Sequence, residues 1–224
     1  VMEQLPFTLA LIAGGIVWSV ALGIPLGCWA AVKRGSWADR VVGVLSVAVI
    51  AVPSFVVAIY ALLIFAVTLR WLPAIGAGEA GDLGDQVTHL ILPSLAVGLG
   101  WVGYIARMVR ASMLEVLEAQ HIRTARAFGL PDRMITYRYA LTIAILPTIT
   151  LLGVGIGQML SSAVFAEIVF ARPGVGKLVY DAILTRNYPL VTGAVLVTTV
   201  LFVLINLIAD LLIGALDPRV RSRF

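Results

Sequence analysis

Cysteine is all but missing from this 224-residue sequence: Cys28 stands alone, so no disulfide can form within the chain. Histidine is nearly as scarce, and His89 and His121 are isolated in the sequence, which argues against a His/Cys metal site. Charge is the third shortage. Only 12% of residues are Asp, Glu, Lys or Arg, against 61% hydrophobic, and the mean hydropathy is +1.03. A chain so composed cannot cover itself with polar surface, which excludes a water-soluble domain and leaves an integral membrane protein. The net charge of +4 does not point to nucleic acid, because the charges fall at the ends of apolar runs and not along one soluble face.

What the chain does have is long stretches free of charge. Counting His as neutral, 29 residues separate Glu3 from Lys33, 29 separate Arg40 from Arg70, 21 separate Asp85 from Arg107, 28 separate Arg138 from Glu167 and 23 separate Arg186 from Asp210. A spanning helix takes about 20 apolar residues. An all-α polytopic bundle with five spans is therefore expected, over residues 5–32, 41–69, 88–107, 139–166 and 189–213. Of the 16 Lys and Arg, twelve between Lys33 and Arg223 fall on one side of these spans and only Arg70, Arg172, Lys177 and Arg186 on the other. The positive-inside rule puts the twelve in the cytoplasm, and the C-terminus with them.

The most polar stretch between spans, Ala111 to Pro131, reads ASMLEVLEAQHIRTARAFGLP. Leu114, Leu117, His121, Thr124 and Phe128 recur at three- and four-residue spacing with no Gly or Pro before Gly129, which predicts one amphipathic helix over the insert. Gly129 suits the left-handed position past a helix end, Pro131 prevents continuation, and Asp132 is placed to cap the next helix. Arg123 to Gly129 reads RTARAFG, and Ile145-Leu146-Pro147 follows with its Pro eighteen residues after the Gly. This combination resembles the cytoplasmic EAA loop of ABC importer permeases, in the form seen in dipeptide, oligopeptide and nickel permeases, where Arg-Thr-Ala replaces Glu-Ala-Ala. Phe128 stands where those relatives usually carry Lys. The resemblance implies a bundle of the type I ABC importer permease kind. Its 111–131 helix would dock into a groove of a separate ATPase through Arg123, Thr124, Ala125, Arg126, Gly129 and Leu130, with Ala125 and Gly129 in the tightest part of the contact. It also implies that a further N-terminal span and an extracytoplasmic segment precede this stretch, a protein of five spans being the alternative.

Gly14, Gly15, Gly23 and Gly27 in the first span, with further glycines in the third and fourth, favour close backbone approach where lipid supplies no hydrophobic drive between helices. Pro25 and Pro53 are expected to bend their helices. Gln158, Ser161, Ser162 and Glu167 lie toward the outer end of the fourth span, and Gln158 and Ser162 share a face. Polar groups at that depth either line a water-filled path, as pathway candidates, or hydrogen-bond helix to helix. Arg107 and Arg110 either anchor the third span among lipid phosphates or face the ATPase. Asp210, one turn from Asn206, is expected to pair with a basic loop residue. The loop 72–87 mixes glycines with Glu79, Asp82 and Asp85, lacks EF-hand spacing, and reads as a flexible acidic loop.

Residues 167–188 form a second outer segment. Pro173-Gly174 marks a turn, and Leu178 to Leu184 a short amphipathic helix at the interface. Gly176-Lys177 is not a phosphate loop, since Ala171 stands where the earlier Gly is required and Leu178 where Ser or Thr is. The segment resembles instead the Pro-Gly-x-Gly and Arg-Asp-Tyr-Pro stretch of the same permeases, with Asn187 replacing Asp before Tyr188-Pro189. That implies an outer gate, or a surface met by a substrate-binding protein, built with Pro173, Gly174, Gly176 and Tyr188. The tail Asp217-Pro218-Arg219 also resembles the family's.

With no Walker motif in the chain, the resemblance implies a non-enzymatic permease subunit that binds no cofactor or metal, ATP and Mg²⁺ belonging to the partner ATPase. The implied partners are a second homologous permease subunit, two ABC ATPase subunits, an extracytoplasmic substrate-binding protein and the lipid bilayer of a bacterial or archaeal inner membrane, with no nucleic acid. The implied cargo is a peptide, a nickel complex or a glutathione-like solute. A secondary transporter or channel subunit and a non-transport scaffold are the alternatives.

Overall fold

The computed structural model describes residues 1–216, and the regular structure among them is entirely helical. Helix α1 (Leu5–Val32) coincides with the first uncharged run, because Glu3 and Lys33 bound that run and Pro6 suits a first helical turn. It continues through Pro25 as one helix. Helix α2 (Trp37–Ala51) opens on Ser36, whose Oγ accepts the Asp39 amide. It stops at Val52, which is extended at φ −85°, ψ 123°, the conformation favoured for a residue before proline. Helix α3 (Ser54–Ala61) starts from Pro53 and widens into a π-helical stretch, Leu62–Thr68. The two halves of this run lie at 99° to one another. Of the two prolines expected to bend a helix, Pro53 therefore breaks one outright.

Asp82 caps α4 (Leu83–Leu117), accepting from the amides of Gly84 and Asp85. At 35 residues, α4 outruns the 88–107 stretch at both ends, since Arg107 and Arg110 change polarity without breaking a helix. The insert is consequently divided. The chain turns extended at Ala119 (φ −68°, ψ 153°), and α5 (Gln120–Ala127) is a separate eight-residue helix. The single helix expected over 111–131 is corrected to a stem, the end of α4, followed by α5. Gly129 does take a left-handed φ of +75°. Pro131, not Asp132, stands at the N-cap of α6 (Asp132–Met134), while the Asp132 carboxylate lies 3.8 Å from Arg126.

A second π-helical stretch, Ile135–Ala140, and α7 (Leu141–Ala144) lead into α8 (Leu146–Val169). Pro147 falls in the first turn of α8, where its missing N–H leaves no intrahelical bond unmade. Helices α9 (Val175–Leu184) and α10 (Tyr188–Leu216) complete the described chain. Helices α1, α4 and α8 are each long and apolar enough to cross a membrane, and the bent pair 37–68 passes the same test as a fourth span. Helix α10 occupies the fifth uncharged run.

The main seam joins α1 to α4. A Cβ on Gly98 would lie 2.4 Å from the Gly15 carbonyl oxygen, and one on Gly27 would lie 2.5 Å from that of Ala106, so small residues set the helix separation. Ser19 Oγ donates across the seam to the Gly98 carbonyl at 3.1 Å. Where α1 ends, Cys28, Ala31, Val109, Met113, Ile122 and Ile135 form one buried cluster. That end of the bundle, which also carries Arg34, Arg40, Arg123 and Arg126, is the basic end. The opposite end carries α9 and the loop before α4, whose Gly76 amide donates to the Phe170 carbonyl at 2.9 Å.

Candidate functional site

At the basic end, α5 is held from below by its apolar residues. Ile122 is fully buried and Ala125 is 8% exposed, both within the cluster of Met113 and Ile135, and Leu130 packs half-buried against it. Arg123, Thr124, Arg126 and Gly129 face outward. Phe128, just past the last turn, is 81% exposed. Ala125, expected in the tightest contact with a partner, packs within the chain's own core cluster, where its smallness lets α5 sit close. An exposed aromatic ring and two exposed guanidinium groups thus share the outward side of this short segment.

The opposite end is organised by Glu167. Its side chain has 0% exposure, and both carboxylate oxygens are engaged. Oε1 accepts from Thr8 Oγ1 at 2.6 Å, and Oε2 accepts from the Lys177 amide at 3.0 Å. Thr8 Oγ1 in turn accepts from the Val175 amide at 2.9 Å. Val175 and Lys177 belong to the first turn of α9, so a carboxylate and a hydroxyl satisfy amides that a helix start leaves free. Gly174 and Gly176 make room: a Cβ on Gly174 would lie 2.0 Å from Glu167 Cδ, and one on Gly176 would lie 2.7 Å from Val164 Cα. Arg172, 3% exposed, lies over the Phe7 ring at 5.9 Å, and its amide donates to the Glu167 carbonyl at 2.9 Å. Burial lowers the pKa of its guanidinium, and the Glu167 carboxylate opposes that shift. The result is a latch that fixes α9 to α1 and α8.

A family model for binding-protein-dependent transport system inner membrane components matches residues 23–222. The chain belongs to this family. It is 36% identical to the glutathione transport system permease protein GsiC of Shigella flexneri over 216 residues, covering 96% of this chain and 68% of that protein. It is 37% identical over 217 residues to a Brucella ovis protein whose name describes a peptide permease, again covering 96% and 68%. Among solved structures, inward-facing MetNI methionine ABC transporter superposes with a TM-score of 0.73 at 18% identity, covering 96% of this chain and 97% of that one. An amino acid ABC transporter with histidines gives 0.63 at 17% identity, covering 97% and 92%. These likenesses show the fold. The chain is thus a transport membrane subunit, an inner membrane component of the type I ABC importer permease kind.

Within this permease, the four polar candidates of α8 are not one set. Gln158 is exposed, and Ser162 Oγ donates to its carbonyl at 3.2 Å inside the helix. Ser161 lines a mostly apolar cavity of about 300 Å³ between α8, α9 and α10, with Tyr180 and Thr198. Glu167 contributes to that cavity's wall, while its carboxylate oxygens are engaged in the latch. Gly174 and Gly176 lie against Glu167, and Pro173 lines a neighbouring surface pocket with Gly174 and Lys177, whereas Tyr188 stands exposed at the start of α10, outside that hydrogen-bond network. Sequence reasoning missed Thr8, a hydroxyl within an apolar run whose partner is 159 residues away. It also missed Asp39. Arg110, read as a lipid or ATPase contact, donates to Asp39 through Nε at 2.5 Å and Nη2 at 2.8 Å. Asp210, Asp217 and Arg219 lie outside the described side chains.

Proposed function

We propose that this permease is the membrane subunit of an ATP-driven importer for peptides or a glutathione-like solute, and that α5 with Phe128 is its docking element for a separate ATPase. The observation that carries the reading is the two-sidedness of α5. Its apolar residues are consumed by the chain's own core, while Arg123, Thr124, Arg126 and an almost wholly exposed Phe128 are presented outward. A monomer has no use for such a ring in solvent; a groove on a partner does. The names of the relatives, a glutathione and a peptide permease, support this cargo class. Two ATPases holding ATP and Mg²⁺, a second homologous permease and an extracytoplasmic binding protein complete the assembly, with the basic end and C-terminus in the cytoplasm. A secondary transporter would need an open ionisable site in its spans, and Glu167 is already satisfied by Thr8 and α9.

The test is copurification from cells expressing the native gene cluster, with uptake of glutathione and of a dipeptide. Gly129→Asp is the informative variant. No atom lies within 4 Å of a Cβ there, and Asp tolerates a left-handed φ better than most residues, so insertion into the membrane is expected to persist. ATPase recovery and uptake are expected to fall about tenfold or more, the scale of one interface hot spot. Normal ATPase recovery and uptake would overturn the docking assignment.

A further inference from the structure

The α1–α2 turn, residues 33–36, is tied to the stem of α5 at two places. Asp39, 6% exposed in the first turn of α2, receives both Nε and Nη2 of Arg110, which projects from the distal part of α4. The same carboxylate accepts the Gly35 amide at 3.0 Å, and Gly35 turns the chain at φ +76°. One carboxylate thereby shapes the turn and fastens it to α4. About two turns further along the stem, Arg34 Nη1 pairs with Glu118 Oε1, and Glu118 is the residue at which α4 gives way to the α5 connection. The exposed Arg34 pair contributes little alone. The Asp39 pair differs: it is bidentate, and although the Arg110 side chain is 34% exposed the Asp39 side chain is only 7% exposed, so removing the guanidinium leaves a buried carboxylate short of its partner.

Helix α2 is held to α4 beyond that point as well, since a Cβ on Gly103 would lie 2.5 Å from the Ser46 carbonyl oxygen. Past Pro53, α3 meets α8 through the rings of Phe55 and Phe165, 6.0 Å between centroids. We infer that Asp39 and Arg110 are positioning residues that make the α1–α2 turn and the stem of α5 one mechanical body, so that displacement of the docking element is delivered through α2 to α3 and α8. This rests on the docking function proposed for α5. A chain of contacts is only an association; the physical content is that the turn cannot move independently of the stem while the ion pair is intact.

The experiment measures that directly and needs no cargo. Spin labels are attached through Trp37→Cys, at the exposed start of α2, and Glu115→Cys, on the exposed face of the stem, in a Cys28→Ala background of the complex purified with its ATPase. Distances are recorded without nucleotide and after trapping with ADP and vanadate. With Asp39 and Arg110 intact, the distance distribution is expected to keep its centre and width in both states. Arg110→Gln, and Asp39→Asn, which still accepts the Gly35 amide, are expected to broaden it by about twofold and to let its centre shift on trapping. Arg110→Lys, retaining the charge, is expected to fall between. A shift on trapping with the pair intact, or an unaltered distribution in Asp39→Asn, overturns the inference. ATPase recovery scored in the same preparations separates this failure from failure of the docking assignment.

Discussion

A methyl group at Gly174 would lie 2.0 Å from Glu167 Cδ, while one at Gly129 would meet nothing within 4 Å. The first position is limited by space and the second by its φ of +75°, so the two respond oppositely to the same side chains. Gly129→Asn is expected to leave the thermal unfolding of the detergent-solubilised permease nearly unchanged, because Asn visits the left-handed region readily. Gly174→Ala forces the Glu167 carboxylate away from α9 and is expected to destabilise by about 1–3 kcal/mol or more. Glu167→Gln keeps the shape but sets an amide NH₂ against one of the two donors that the carboxylate oxygens now accept from. Its expected cost is about 1–3 kcal/mol, the penalty of a buried polar group left unsatisfied. Equal melting temperatures for Glu167→Gln and the parent would mean that the carboxylate does not hold α9.

At the scale of the element, α5 separates stability from docking along its two faces. Phe128→Ala changes an 81% exposed ring, so unfolding is expected to stay within about 0.5 kcal/mol of the parent while ATPase copurification drops. Ala125→Leu inserts bulk into the cluster of Ile122 and Ile135 and is expected to lower stability by about 1–3 kcal/mol. A Phe128→Ala protein that recovers the ATPase normally would place docking elsewhere. The existence of this element was legible in the sequence from the apolar spacing and the Gly129-x-Pro131 stop, but its boundary was not. His121, Thr124 and Phe128 continue the spacing across a break at Glu118–Ala119 that no Gly or Pro marks, yet they are exposed and the buried side of α5 is that of Ile122 and Ala125. The α1 boundaries were legible because charges flank the run, whereas those of α4 were not, since an arginine can prolong a helix beyond its apolar stretch. Pro53 announced the α2–α3 break. Thr8–Glu167 and Asp39–Arg110 are pairings between segments distant in sequence, and no local pattern encodes them.

For the whole molecule, the distribution of basic residues carries a prediction that packing alone does not. Arg34, Arg40, Arg123 and Arg126 share the end that bears α5, and α9 lies at the other, so the bundle has two chemically distinct ends. Positive-inside bias favours the basic end in the cytoplasm, the side on which a soluble ATPase could reach Phe128. Cys28 is buried and is expected to leave a low background for thiol labelling. A membrane-impermeant maleimide is expected to label Leu184→Cys, at the exposed end of α9, in intact spheroplasts, and Phe128→Cys only in inside-out vesicles. The reverse pattern would place α5 beyond reach of any cytoplasmic ATPase, removing the docking function and the coupling route through Asp39 together, while leaving the helical fold and the Glu167 latch untouched.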